Sequence, residues 1–182
     1  EQLSRTEAFE ALKPLFFDPT ILKIGHNVKF DARTIAKYYG ELPVGPFRDT
    51  MLLQHALDEN ISSFRLTSLI AHNFHDHDPY ARHGKVGAVI GYTPFSIACD
   101  YVHLDARWTW LLYQRLARSV SNTDKLVDVV KQDSEVLEVL MAMEHDGMCV
   151  NRSGMATLGE ELDGQMKDIH SEITALTYPG FN

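Results

Sequence analysis

The most restrictive stretch of this chain is the short apolar run Ile21-Leu22-Lys23-Ile24, which passes straight into Gly25-His26-Asn27-Val28-Lys29-Phe30-Asp31. An apolar run that stops at Gly-His-Asn and at once takes up helical spacing predicts a strand over 22–25 and a helix over 28–39. Gly40 is a natural stop for that helix. A strand that feeds directly into a helix points to an α/β fold. It also places Asp31 in a first helical turn, close to where the strand ends. A carboxylate there is favoured by the helix dipole whatever else it does.

The second informative string is Tyr101-Val102-His103-Leu104-Asp105. It sets a phenol and a carboxylate at i and i+4, one turn apart on one helix face. Asp31, Asp105 and Tyr101 are together the parts that two-metal phosphodiester hydrolysis asks for. The plainer alternatives are a core position for Tyr101 and a surface position for Asp105.

The rest of the chain reads as mostly helical. Ser4-Arg5-Thr6-Glu7 has the capping-box pattern, and the helix it opens is bent or shortened by Pro14. Pro43, Gly45 and Pro46 predict a turn, after which Phe47-Arg48-Asp49-Thr50 leads into a helix over 50–57. Asp49 or Thr50 caps that helix, and Asp49 reads as a structural residue rather than a metal ligand. Another helix is expected over 66–70. The glycine- and proline-rich stretch 72–93 reads as a long loop, of the length that is often functional. His72, His75 and His77, with Asp76 and Asp78 between them, invite a zinc reading, but no cysteine is near and a solvated loop is the expectation. A helix follows over 95–117, with at most one break and with Trp108 and Trp110 as core or junction residues. Beyond a polar junction at 119–123, two more helices are expected over 125–144 and 152–176.

Composition narrows the function classes. The two cysteines, Cys99 and Cys149, do not make a disulfide framework. No apolar run approaches the roughly 20 residues needed to span a bilayer, and no secretory leader is visible. The net charge of −8 argues against a general phosphate-binding surface, yet a site that holds divalent cations needs carboxylates. Lys23, Lys29, Arg33 and Lys37 offer a local positive patch that either steers a nucleic-acid strand or is a solvated helix face.

Gly25 to Asp31 and Tyr101 to Asp105 resemble the second and third sequence motifs of 3'-5' exonucleases of the four-carboxylate, tyrosine-containing type. Phe47-Arg48-Asp49-Thr50-Met51-Leu52 looks like a helix start common in the same group. The stretch from Leu137 to Val150, with its Met143-Glu144-His145-Asp146-Gly147 turn, is similar to the segment that follows the exonuclease domain in family-A DNA polymerases. The resemblance implies a ribonuclease H-like α/β exonuclease fold over 1–120, lacking its first strands, followed over 121–182 by a helical hairpin that starts the polymerase thumb.

That resemblance also implies a role for each motif residue. Asp105 binds one divalent ion and Asp31 lies by a second, both Mg2+ or Mn2+. Tyr101 orients the attacking water. His26, Asn27 and Phe30 contact the terminal nucleotides, Phe30 by stacking or wedging unless it is partly core, and Arg65 contacts a phosphate. The partners implied are DNA, as a single-stranded 3' end and primer-template, and the rest of a polymerase chain, with no membrane. The location implied is cytoplasmic and nucleoid-associated, or intracellular and phage-encoded. The family's first motif, Asp-x-Glu on an early strand, has no counterpart before Lys23. Two of the four family carboxylates are therefore missing, and this chain alone is expected to be inactive. A ribonuclease-D-like RNA exonuclease shares the motif order, and a catalytically dead module is the non-enzymatic alternative; the turn at 143–147 favours the polymerase.

Overall fold

The computed structural model describes residues 3–75, 80 and 86–176. Helix α1, Arg5–Phe17, opens on the expected capping box: Ser4 Oγ accepts from the Glu7 amide at 3.2 Å, and Glu7 Oε2 accepts from the Ser4 amide at 2.9 Å. Pro14 sits inside the helix without ending it. The helix buries no residue fully and is fastened through aromatic rings. Phe9 stacks on Tyr38 with centroids 3.9 Å apart, and Phe17 meets the edge of Tyr39 at 5.3 Å.

Strand β1, Lys23–Gly25, runs into α2, Val28–Tyr39, as the sequence predicts. The short segment after the Pro43–Pro46 turn forms a second strand before the next helix. This is β2, Phe47–Asp49, which pairs with β1 in parallel with Lys23 opposite Phe47 and Gly25 opposite Asp49. Helix α2 is the crossover that a parallel pair requires. Helices α3, Thr50–Leu57, and α4, Leu66–Phe74, follow. Helix α4 runs past the expected end at 70 because Asn73 is buried, donating to Gln54 Oε1 at 2.7 Å and to the Leu69 carbonyl at 3.0 Å. His75 closes it in the left-handed region, at φ 52°.

The expected loop contains two short 3-10 turns, Val86–Ala88 and Ile90–Tyr92. Residues 76–79, and with them Asp76, His77 and Asp78 of the histidine cluster, lie outside the described residues. Helix α5 then runs unbroken over Phe95–Ser121, followed by α6, Asp124–Asp146, and α7, Arg152–Leu176. Among the described residues, no helix is long and apolar enough to cross a membrane.

The chain divides into two compact units, residues 1–145 and 146–182. The first has two cores. Leu53, Leu69, Leu112, Leu116, Val120 and Val130 form one, where α3, α4 and α6 meet the C-terminal half of α5. The spacing of Leu112, Leu116 and Val120, four residues apart each time, lines one side of α5. Val28, Ala32, Phe47, Leu137 and Met141 form the other, where α6 covers α2 and β2. The second unit is α7, which buries none of its residues fully.

Candidate active site

The strand-to-helix joint is held by a residue distant in sequence. Asn27, the N-cap of α2, adopts the left-handed conformation at φ 61° and makes no side-chain cap of its own, a geometry asparagine tolerates better than most residues. Asp49 supplies the missing cap. Its Oδ1 accepts from the Asn27 amide at 3.0 Å and its Oδ2 from the Val28 amide at 2.8 Å. Oδ1 also accepts from the Met51 amide at 2.9 Å, so the same carboxylate is the N-cap of α3. Asp49 is 5% exposed, and three amides use both of its oxygens. The structural role read from the sequence is the one observed.

Asp31 and Asp105 come from different helices and line the same cleft, a cavity of about 590 Å3. Ile24, Gly25, His26, Leu66, Val102, Ala106, Thr109 and Trp110 form the rest of its wall. Desolvation pushes the Asp31 carboxyl above its ordinary pKa, and the charges of Asp49 and Asp105 push it further. Asp31 is nevertheless open to solvent at its surface, so a cation can reach it. Removing carboxylates from water beside one another favours the protonated form, and a divalent cation would relieve that penalty.

His26 stands on the ridge between this cleft and a wide depression of about 810 Å3 lined by Asn27, Met51, Ser62, Ser63, Phe64, Arg65 and Leu66. Its Nδ1 lies 2.8 Å from Thr50 Oγ1, and the Thr50 hydroxyl donates to the Gly25 carbonyl at 3.3 Å. The ring therefore braces the joint as well as facing the cleft. Desolvation pushes its pKa down, against the charge of Asp49, the Phe64 backbone and the charge of Asp105. The structure thus brings His26, Asn27 and Arg65 to one depression next to the carboxylates. Phe30 lines neither cavity and is 68% exposed, so it is not a core residue.

Tyr101 is half-buried and is not among the residues of the cleft wall. Its ring centroid lies 5.2 Å from that of Tyr80, and a Cβ built on Gly87 would come within 2.6 Å of its hydroxyl. Tyr80 donates to Asp105 Oδ1 at 2.6 Å. Sequence reasoning missed Tyr80, which lies in a stretch without periodicity. Trp108 packs edge-on to Phe74 at 5.4 Å, as a core residue does. Trp110 instead is 49% exposed on the cleft wall, so of the two places read for it, core or junction, the core is excluded. Of the basic residues near the first motif, Lys29 pairs with Glu144 at 2.6 Å and Arg33 approaches the same carboxylate at 3.9 Å. These two belong to the contact between α2 and α6.

The donor set fits a hard divalent cation of the Mg2+ type. Such ions are commonly held by one or two carboxylates and keep several waters, and Asp31 and Asp105 are two carboxylates in one solvent-open cleft. Among the described residues there is no group of three or more His, Cys, Asp or Glu side chains placed to hold a metal.

The family model for the 3'-5' exonuclease matches residues 1–121. Over the whole chain the sequence is 27% identical to DNA polymerase I of Pseudomonas aeruginosa, to DNA polymerase I of Rhizobium leguminosarum and to DNA polymerase I of Synechocystis. The alignments cover 21%, 18% and 19% of those proteins, so the chain spans about a fifth of their length. A strand-to-helix joint carrying Asp31, a second helix carrying Tyr101 and Asp105, and a model match over two thirds of the sequence agree: the chain belongs to the 3'-5' exonuclease family of the family-A DNA polymerases.

Proposed function

We propose that this chain carries the Asp31 and Asp105 half of a proofreading 3'-5' exonuclease site in a DNA-directed DNA polymerase of family A, with residues 121–182 beginning the thumb. Its substrate is the single-stranded 3' end of a primer, delivered from the primer-template, and its partner is the remainder of the polymerase. The observation that supports this reading best is the shared cleft of Asp31 and Asp105, two carboxylates far apart in sequence.

Asp31 and Asp105 would hold divalent ions, Mg2+ or Mn2+, which when bound would activate water and neutralise charge on the scissile phosphate. Tyr101, one turn before Asp105, would orient the attacking water. His26, Asn27 and Arg65 grip the terminal nucleotides in the adjoining depression, and the exposed Phe30 ring stacks on a base. The fold is of the ribonuclease H-like kind, with β1 and β2 in its sheet. The 182-residue chain by itself, with two of four carboxylates, does not digest DNA at a measurable rate.

The test has two arms. In the polymerase that carries this segment, Asp31→Ala with Asp105→Ala is expected to abolish release of a mismatched 3' nucleotide while leaving primer extension intact. Unchanged excision in that double variant would refute the site. Robust Mg2+-dependent digestion by the purified 182-residue chain would refute the claim that the chain alone is inactive.

A further inference from the structure

The cleft contains one contact that none of the motifs requires. Tyr80 is 5% exposed, and its hydroxyl donates to Asp105 Oδ1 at 2.6 Å. An O–H group bonded to a carboxylate at this length is a charge-assisted hydrogen bond, about twice as strong as a neutral one. The Tyr80 ring is itself seated against Tyr101, with centroids 5.2 Å apart, and the Tyr101 hydroxyl abuts Gly87. The donor is therefore embedded in aromatic packing and is not a mobile surface group.

Asp105 needs such a partner. It lies on the N-terminal half of α5, outside the stretch whose Leu112, Leu116 and Val120 are locked into the core. The last torsion of an aspartate is broad and only weakly confined by its own rotamer preference. A carboxylate left to itself there would sample many orientations, and a cation would have to select one. With Oδ1 bonded to Tyr80, the rotation of the carboxylate is restrained. Among the described residues Oδ2 carries no hydrogen bond and is available to the cleft.

We propose that Tyr80 is a positioning residue for Asp105, holding one carboxylate oxygen so that the other is presented to a divalent cation in the cleft. This rests on the exonuclease reading of the site. Tyr80 acts through Asp105. Partners of this kind orient metal-binding carboxylates, and their removal commonly costs 10- to 100-fold in metal affinity.

The test is Tb3+ binding to the full 182-residue chain, read from luminescence sensitised by Trp110 on the same cleft wall. Tyr80→Phe keeps the ring and removes only the hydroxyl. It is expected to weaken Tb3+ binding about 10-fold with the melting temperature little changed, and Asp105→Asn is expected to abolish the saturable signal. If the wild-type chain shows no signal dependent on Asp105, the cation reading of the cleft fails and takes the role of Tyr80 with it. If the wild type binds through Asp105 but Tyr80→Phe binds as tightly or more tightly, the role of Tyr80 alone is overturned. Should Tyr80→Phe melt below the titration temperature, the bond is read in the folded wild type from the ring 13Cζ resonance of Tyr80. That resonance is expected to move in Asp105→Asn, and a stationary one overturns the proposal.

Discussion

Replacing Asp49 tests whether one carboxylate fastens both the α2 and α3 starts. In Asp49→Ala, three amides lose their acceptor: Asn27, Val28 and Met51. The Val28 amide is buried, and leaving a buried donor unpaired costs about 1–3 kcal/mol. Loss of an N-cap costs about 1 kcal/mol per helix, and here α2 and α3 lose theirs together. The Val28 bond is itself part of the α2 cap, so the sum is about 2–4 kcal/mol, a large share of the 5–15 kcal/mol that typically holds a domain together. One term opposes it: removing the charge of Asp49 relieves part of what raises the Asp31 pKa. Asp31 is solvent-exposed at its surface, so this relief is the smaller effect. Asp49→Asn separates the terms. Its remaining oxygen still accepts from the Asn27 and Met51 amides, while its NH2 group meets the Val28 amide donor to donor. It should cost about 1–3 kcal/mol, less than alanine, and should lower the Asp31 pKa toward its ordinary value. Urea unfolding followed by the fluorescence of Trp108 and Trp110 measures both variants. An alanine variant within about 1 kcal/mol of wild type would refute the double-cap argument. So would an asparagine variant as costly as alanine.

Two other outcomes follow from the same geometry. The Asp31 pKa is raised above 3.8 in the folded chain, so its contribution to stability is fully present below 3.8 and is lost as pH rises through the folded value. Mn2+ should therefore raise the melting temperature more as pH rises through that folded value, and Asp31→Asn should flatten both the pH slope and the Mn2+ increment; an unchanged Mn2+ response in the variant would contradict the shared field. Met141 is 3% exposed in the core that α6 builds on α2 and β2, so Met141→Ala should destabilise by about 2–4 kcal/mol in the same urea assay, and a value near zero would mean that α6 is not docked there.

What could be read from the sequence divides by the range of the signal. Helices α2, α3, α6 and α7 carry their own periodicity and end signals, so their limits were readable to within a residue or two. Strand β2 was not. It is three residues long, only Phe47 in it is apolar, and its existence depends on pairing with β1 across the whole of α2. The length of α4 depended on a buried Asn73–Gln54 hydrogen bond, which no local pattern announces. At the site, Asp31 and Asp105 could be named because their strings resemble a family. That Asp49 clamps the Asn27–Val28 joint, or that Tyr80 reaches Asp105, could not, because each contact joins residues whose spacing follows no helical or strand period. The choice between core and junction for Trp110 stayed open for a related reason. Helical spacing shows that a residue faces the side of a neighbouring element, but not where that element stops, and at Trp110 the wall opens into the cleft.

The cleft is built across two cores, which explains why a helix outside the exonuclease motifs bears on its geometry. Asp105 rides on α5, whose C-terminal half is fixed by Leu112, Leu116 and Val120 in the first core. Asp31 rides on α2, which is fixed by Val28 and Ala32 in the second. Helix α6 enters both, through Val130 in the first and through Leu137 and Met141 in the second. Glu144, one turn beyond Met141, pairs with Lys29 in the first turn of α2. The close approach of the Glu138 carboxylate to Gly45, which leaves no room for a Cβ there, seats α6 on the turn that leads into β2. The relative placement of α2 and α5 thus has two supports: the β1–β2 ladder with its Asp49 clamp on one side, and α6 on the other. A pair of carboxylates must keep its spacing to hold a cation, and a single three-residue ladder is a weak spacer by itself. The helix that begins the region resembling a polymerase thumb therefore acts as the second brace of the cleft that Asp31 and Asp105 line. Its displacement would alter the Asp31–Asp105 spacing without touching either residue.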